Sequence, residues 1–223
     1  MRRGLGLSLV GLLLMVSLLA GCAAHRGERV SKSGFLRDYS QLKPGDEGMA
    51  VLIYRKPDAD MRKYQNIIID PVRVLLGPEA QWEVEPGELY NLAREYRAAL
   101  IREVSPLYPV VDTPSPETMR LRVALTDIKP GSPVRGVLTL LPVGMAIAGA
   151  TKATTTGEFS DVGKVETEME LIDSVTGERL GAAVDRQVGT KAPFRGEFDD
   201  ARDAFDFWAK RLARGLAQAR AQR

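Results

Sequence analysis

The sequence predicts an α+β fold, in which a mostly antiparallel sheet is covered by two amphipathic helices. Residues 119–128 alternate between apolar and polar side chains, as a half-buried strand does. Residues 164–189 show the same alternation on both sides of a turn, which indicates a β-hairpin. Residues 85–104 and 197–223 instead carry apolar residues at three- and four-residue spacing, which predicts one buried stripe on each helix. Strands and one-faced helices together favour a helix-covered sheet.

The first 22 residues have the composition of a leader. Arg2-Arg3 precedes a charge-free apolar run at 5–20, and small residues then lead to Cys22. This order is typical of a secretory signal peptide, and the run is shorter than the ~20 residues of a membrane-spanning helix. The tetrad Leu19-Ala20-Gly21-Cys22 resembles the lipobox of bacterial lipoproteins, which implies cleavage between Gly21 and Cys22 and lipid attachment to the thiol. A plain signal peptide with an incidental cysteine and a retained membrane helix are the alternatives.

We therefore expect a lipoprotein signal peptide at 1–21, a lipidated tether at 22–33 and a single α+β domain at 34–223. A lipoprotein cysteine carries two or three acyl chains, and each buried methylene adds about 0.8 kcal/mol, so the anchor would be permanent. Ala23 follows the cysteine. By resemblance to lipoprotein sorting in enteric bacteria, this residue favours the outer membrane, with the domain facing the periplasm. The inner membrane is the alternative.

Short elements precede the first helix. Apolar residues at 35, 36 and 39 predict one helical turn, which Pro44-Gly45 ends. Residues 49–54 and 66–76 are β-type runs. Pro71 lacks a backbone N–H, which predicts an edge position or a bulge in the second run.

The two helices have clear ends. Glu85-Pro86-Gly87-Glu88 suits a helix start, and Pro106 ends the first helix. The last helix carries aspartates early and basic residues late, which complements its dipole. The predicted apolar stripes are Leu89, Leu92, Ala93, Tyr96, Leu100 and Val104 in the first helix, and Ala201, Phe205, Trp208, Leu212 and Leu216 in the last.

The remaining strands lie between the helices. Residues 107–111 predict a short strand, and 119–128 a longer one. In the hairpin, the turn at 173–178 places a glycine where a positive φ is needed. Glu166, Glu168 and Glu170 share one strand face, which we expect to be a solvated, acidic side of the sheet. Calcium binding or acid catalysis by these carboxylates is the alternative, but no glycine-rich calcium loop accompanies them.

Residues 136–151 carry no charge, which is unusual for this chain. We favour a core element or a packed loop. The alternative is a membrane-touching or oligomer-forming element, because 16 residues suffice for a pair of short strands or an interfacial helix. Its candidate interface residues are Leu138, Leu140, Val143 and Met145.

Three stretches together resemble a known family. "SGFLRDYSQLKPG" after the lipobox, "YQNIIIDPVRV" and "VETEMELIDSVTGERLGAAVDRQVG" look like the bacterial lipoproteins grouped as domain of unknown function 3313. The family implies an envelope location but no established activity. "EMELIDSVTGERL" is also distantly similar to the hairpin of the periplasmic α/β domain of the curli secretion lipoprotein.

The sequence lacks the parts of most catalytic sites. His25, the only histidine, lies in the expected tether, which cannot hold a fixed geometry, and Cys22, the only cysteine, is expected to carry the lipid. Without another histidine or a free cysteine, Ser–His–Asp, Cys–His and most zinc sites cannot be assembled. Ser40-Gln41-Leu42-Lys43 matches the S-x-x-K pattern, but its companions S-D-N and K-T-G are missing. We expect no enzyme activity, no metal and no cofactor.

The best-supported function is therefore a non-catalytic binding or structural module of the cell envelope, attached to the membrane by its lipid. Its expected partner is an envelope protein or a second copy of itself. Without Arg2 and Arg3 the basic and acidic residues are equal in number, so we expect no nucleic-acid partner. The alternatives are an oligomeric secretion or channel accessory that uses 136–151 and, less favoured, a carboxylate-dependent enzyme acting on envelope glycans.

Overall fold

The structure is a computed structural model, and it describes residues 30, 32–76, 84–130, 163–189 and 196–221. These residues form a seven-stranded mixed sheet and two long helices, which confirms the predicted α+β fold. The helices are α1 (Pro86–Val104) and α2 (Asp199–Ala221), and a short 3-10 turn spans Met61–Lys63. The strands are β1 (Lys43–Pro44), β2 (Leu52–Arg55), β3 (Asn66–Ile69), β4 (Arg73–Val74), β5 (Thr118–Lys129), β6 (Lys164–Asp173) and β7 (Arg179–Val188).

The three longest strands, β5, β6 and β7, form the antiparallel centre of the sheet. The strand order is β1-β2-β7-β6-β5-β3. Strand β4 pairs with the same edge of β5 as β3 does, further along β5. Met169 of β6 lies opposite Val123 of β5 and Ala183 of β7. The β6–β7 turn contains Gly177 at a φ of 72°, a conformation that glycine adopts without strain, and the predicted hairpin is confirmed.

The β-type run at 66–76 is divided into two short strands at the edge of the sheet. Both β3 and β4 pair in parallel with β5, and Pro71 lies in the gap between them. This edge position is the one that Pro71 predicted, because its missing N–H cannot serve a central strand.

Two local predictions are wrong. Residues 107–111 form no strand, and only Val110 makes an isolated bridge, to Ile67. The chain turns back there after α1, with the N–H of Leu107 bonded to the carbonyl of Val104. The predicted helical turn at 35–39 is an irregular turn, because Gly34 and Arg37 have φ values of 86° and 58°, which a right-handed helix excludes.

Both helices pack on the same side of the sheet and bury the larger core. Tyr96 of α1 stacks on Phe205 of α2 with ring centroids 4.6 Å apart, and Trp208 lies against both rings. Arg97 of α1 donates two hydrogen bonds to the carbonyl of Ile69, which fixes α1 over the edge strands. Neither described helix combines the length and apolar character needed to cross a membrane.

A smaller core lies on the opposite side of the sheet. We call residues 33–42, which cover this side, the strap. Phe35 and Leu36 of the strap are buried against Ala124, Ala182 and Val184. The sheet is therefore covered on both sides, by helices on one and by the N-terminal segment on the other.

Candidate functional site

Glu166, Glu168 and Glu170, which we call the carboxylate row, lie on the strap side of β6. The prediction that they form a solvated face is wrong, because they are 1%, 0% and 6% exposed. Burial of a carboxylate is costly unless it is paired or hydrogen-bonded, so each needs partners. The strap and cationic side chains of the neighbouring strands supply them.

Glu168, at the centre of the row, binds the strap directly. The backbone N–H of Ser33 donates to Oε1 at 2.8 Å, and the Tyr39 hydroxyl donates to Oε2 at 2.6 Å. The Tyr39 oxygen in turn accepts the N–H of Gly34 at 2.8 Å. Burial and the neighbouring Glu168 carboxylate raise the pKa of Tyr39, so its hydroxyl stays protonated and can donate.

Glu170 binds the strap through an arginine. Arg122 on β5 and Arg179 on β7 contact its two oxygens, at 2.6 Å and 2.7 Å. Arg179 also donates to the carbonyl oxygens of Leu36 and Asp38 in the strap. One guanidinium thus joins the carboxylate row to the backbone of the strap.

Glu166 completes the row at its far end. Its carboxylate lies 2.9 Å from Nε of Arg186 and 3.2 Å from Nζ of Lys164. Burial acts to lower the pKa of Lys164, but the hydrogen bond to Asp127 and the charge of Glu166 outweigh it and raise the pKa. The lysine is therefore cationic at neutral pH.

Phe35 anchors the strap between two cations. Its ring centroid is 5.2 Å from the guanidinium carbon of Arg122 and 5.9 Å from that of Arg73. Both arrangements have cation–π geometry, which adds to the stabilisation from burying the ring. The strap is thus held by polar, ionic and aromatic contacts together.

Asp173 organises the hairpin turn at the end of the sheet. It accepts the N–H groups of Val175 and Thr176, the hydroxyl of Tyr64 and the ammonium of Lys63, all within 3.0 Å. Burial alone would raise the pKa of Asp173, but these hydrogen bonds outweigh it and hold the pKa well below its usual range. The turn is thereby joined to the connection between β2 and β3.

The helix side of the sheet contains a cavity, which we call the cleft. It has a volume of about 770 Å³ and lies between α2, the strands β2 and β7, and the connection from β2 to β3. Two lining residues are bonded to Asp185, which accepts the indole N–H of Trp208 and an N–H of Arg211, both at 2.6 Å. These bonds hold α2 over β7.

Several predicted site residues lie outside the described residues. These are Gly21, Cys22 and His25, and the candidate interface residues Leu138, Leu140, Val143 and Met145. Ser40 and Lys43 are both exposed. In the described part of the chain, no hydrogen bond joins them, and no group of three His, Cys, Asp or Glu residues could hold a metal.

Sequence reasoning missed the cationic partners of the carboxylate row, although a signal was present. Arg120 and Arg122 alternate along β5 as the three glutamates do along β6, and Arg122 is the one that lies opposite a glutamate, Glu170. In an antiparallel pair, opposite charges at the same spacing predict cross-strand pairing. The strap contact had no comparable signal, because it joins residues far apart in the chain.

Comparison with known families places most of the chain in one of them. Residues 31–212 match the family model DUF3313, described as "Protein of unknown function". The chain belongs to the DUF3313 family. The match begins before the strap and ends within α2, so the DUF3313 unit includes the strap, the whole sheet and α1.

This DUF3313 protein is also similar to individual proteins. It is 28% identical over 160 residues to the "Uncharacterized lipoprotein YdcL" of Escherichia coli K12, a match that covers 71% of each chain. Among solved structures, a PelC dodecamer from Paraburkholderia phytofirmans is similar at 10% identity and a TM-score of 0.43, over 77% of this chain and 98% of that one. A DUF330 protein from Xanthomonas campestris is similar at 10% identity and a TM-score of 0.38, over 73% and 86% of the two chains.

Proposed function

We propose that this DUF3313 protein is a lipid-anchored, non-catalytic binding or structural module of the bacterial cell envelope. Its lipid is attached to Cys22, and its domain faces the periplasm from the outer membrane. The lipobox and the similarity to an uncharacterised lipoprotein support the anchor. Ala23 directly after the cysteine supports the outer membrane, by resemblance to lipoprotein sorting in enteric bacteria.

The observation that carries this proposal is the attachment of the strap to the sheet. Ser33 is bound to Glu168 and lies eleven positions after Cys22 in the sequence. Since an extended residue spans at most ~3.6 Å, the folded domain can lie no more than ~40 Å from the lipidated thiol. The bonded strap therefore limits how far the folded domain can lie from the membrane surface.

The bonding of the carboxylate row supports a non-catalytic role. General acid–base chemistry needs carboxyl groups that can reach a substrate. Glu166, Glu168 and Glu170 are buried and bonded to arginine, lysine, tyrosine or backbone groups of this chain. They act as structural anions, which makes a glycan enzyme built on them the least favoured reading.

The decisive experiment combines lipid labelling with fractionation. The full chain is expressed in a Gram-negative bacterium with labelled palmitate, with Cys22→Ala as the matched control. We expect label in the wild-type protein and none in the variant, and recovery of the wild type in the outer-membrane fraction. Recovery of an unmodified thiol by mass spectrometry, or release of the wild type into the periplasm, contradicts the proposal.

The second candidate is an oligomeric secretion or channel accessory that uses residues 136–151. The observation that favours it is the absence of charge along these 16 residues. Particle size in detergent tests it, with Leu138→Glu and Leu140→Glu as the variants. A monomeric wild type rejects this candidate, and large particles that the variants disrupt support it.

A further inference from the structure

The strap is held to the sheet by few buried side chains. Of its ten residues only Phe35 and Leu36 are buried, and both pack in the smaller core. Its hydrogen bonds to the sheet are made through Glu168 and Arg179. Among the described residues, the larger core on the helix side contains no residue of the strap. Opening of the strap therefore leaves the larger core in place.

The face under the strap has the features of a face that tolerates water. Glu166 and Glu170 are each paired with two cationic side chains of the sheet itself, without any strap atom. Glu168 takes both of its described hydrogen bonds from the strap, but opening also exposes it to water, which supplies replacements. The alternation of charged and apolar residues along β6 is the pattern of a strand with one solvated face. Opening thus leaves none of the three carboxylates buried without a partner.

Strand β1 fixes the point at which opening of the strap stops. Lys43 and Pro44 pair with β2, and the backbone N–H of Gly45 donates to the carbonyl of Val51 at 3.1 Å. These bonds lie outside the strap and do not involve the carboxylate row. A detached strap therefore frees the chain as far as Lys43.

The closed and open states differ in the length of chain between the lipidated thiol and the sheet. With the strap bound, Ser33 lies eleven positions after Cys22, which allows at most ~40 Å. With the strap free, the first residue bonded to the sheet is Lys43, which lies 21 positions after Cys22 and allows at most ~75 Å. Release of the strap therefore nearly doubles the maximum length of the tether.

We propose that the strap is a releasable clasp that sets the reach of the domain from the membrane, ~40 Å when closed and ~75 Å when open. The inference rests on the proposed function, because both lengths are counted from a lipidated Cys22. A partner located beyond the closed reach is bound only by the open state, so it selects that state. The apparent affinity for such a partner is reduced in proportion to the fraction of chains whose strap is open.

A reach assay on a bilayer tests the proposal. Val175→Cys, in the exposed hairpin turn, gives the full lipidated chain one free thiol, because Cys22 is acylated. The chain is reconstituted into a bilayer that also holds DNA duplexes of increasing length, each anchored by cholesterol at one end and carrying a maleimide at the other. The rate of thiol coupling at each duplex length measures how often the domain reaches that height.

Two variants weaken the clasp at different bonds. Arg179→Gln removes the bonds to the strap carbonyls, and Tyr39→Phe removes the bond to Glu168. We expect each variant to accelerate coupling about tenfold at heights beyond the closed reach, because the loss of one such bond raises the open fraction by about that factor. Coupling to short duplexes should not change. Identical height profiles of the wild type and both variants overturn the proposal.

Arg202→Gln is the matched control for the loss of a positive charge. Arg202 lies on α2, on the helix side of the sheet, and pairs with Glu95. Its substitution should leave the height profile unchanged, and a rise equal to that of Arg179→Gln overturns the proposal. Circular dichroism during thermal unfolding shows that the helix side is intact in each variant. If Arg179→Gln does not fold, Tyr39→Phe decides the outcome, since it removes a single hydroxyl group.

A tether variant calibrates the assay. Ten glycine and serine residues inserted after Gly27 give the closed state the tether length of the open one without changing the strap. This variant should couple to long duplexes at the rate of a permanently open clasp. If the wild type already couples at this rate, the strap does not limit the reach and the proposal is wrong.

Bilayer binding separates this inference from the proposed function. If the wild type binds the bilayer and the strap variants share its height profile, the membrane anchor stands and only the clasp proposal fails. If the chain produced by cells carries no lipid and does not bind the bilayer, both proposals fail, because the strap then has no tether to lengthen.

Discussion

Glu168 illustrates at the scale of one residue how this fold tolerates a buried charge. The side chain is completely buried, yet both oxygens accept hydrogen bonds, from Tyr39 and from the backbone of Ser33. A charged acceptor makes each of these bonds stronger than a neutral one would be. The carboxylate thus binds the strap to the sheet, and removing it would lower the free energy of unfolding because both bonds to the strap would be lost.

Glu168→Gln keeps the shape of the side chain and removes its charge. We expect the free energy of unfolding to fall by about 1–3 kcal/mol, because an amide accepts these bonds more weakly and leaves the Tyr39 hydroxyl without an anionic acceptor. Urea unfolding measures the change. Glu178→Gln, in the exposed hairpin turn, serves as the control and should change stability by less than about 0.5 kcal/mol. Equal effects of the two variants would show that the Glu168 bonds are not stabilising.

Asp173 gives the fold a dependence on acidic pH. The pKa of Asp173 is lowered in the folded state, so the unfolded chain binds a proton at this carboxylate more readily. The ionised carboxylate therefore contributes fully to stability above the unfolded pKa of ~3.9. This contribution is lost as the pH falls through the folded pKa. We therefore expect wild type to exceed Asp173→Asn in stability by about 1–3 kcal/mol at pH 7. Urea unfolding at pH 7 and pH 3 should show this difference shrinking at the lower pH. A constant difference would contradict the lowered pKa.

At the scale of elements, the hairpin and both helices could be predicted because their signals are local. The alternation along β6 and β7 and the glycine of their turn lie within 26 residues, and the apolar stripe of each helix is continuous. The burial of the carboxylate row could not be predicted in this way. Tyr39 and Glu168 are 129 residues apart, and alternation shows only that a face is polar, not whether another segment covers it.

An aromatic stack forms the buried part of the contact between α1 and α2 and is joined by exposed ion pairs such as Arg202–Glu95. Phe205 is 1% exposed, stacks on Tyr96 and lies near Trp208, which also contacts Tyr96. Phe205→Ala should lower the free energy of unfolding by about 3–5 kcal/mol, from lost burial and the cavity that remains. Phe207→Ala, two residues along the same helix and 39% exposed, is the control and should cost less than about 1 kcal/mol. Thermal or urea unfolding of the two variants compares them, and similar losses would contradict this account of the helix contact.

At the scale of the whole molecule, the two sides of the sheet have different roles. The helix side holds most of the buried apolar residues, so it determines the global stability. The strap side has a small apolar core and relies on Glu168, Glu170 and Arg179 for attachment. Segments with few buried apolar contacts open locally at a lower free energy than the core. The strap is thus the part of the fold that can detach while the helix side remains intact.

Trypsin can measure this local opening, because Arg37 is an exposed cleavage site in the middle of the strap. Cleavage requires the backbone around Arg37 to leave the sheet, and Arg179 holds the carbonyls on both sides of it. Arg179→Gln, or Glu168→Gln, should accelerate cleavage after Arg37 by about one to two orders of magnitude, the equivalent of one lost charge-assisted attachment.

Cleavage after Arg214 in α2 is the internal control, since it requires opening of the helix side and should change much less than cleavage after Arg37. If cleavage at both sites is accelerated equally, the strap opens only with the whole domain, and the proposed difference in stability between the two sides of the sheet is wrong.

Under the proposed anchor, cleavage at Arg37 also separates residues 38–223 from the lipidated fragment. The released domain would then appear in the soluble fraction at the rate at which the strap opens, so that vesicle release and gel analysis measure the same local equilibrium independently.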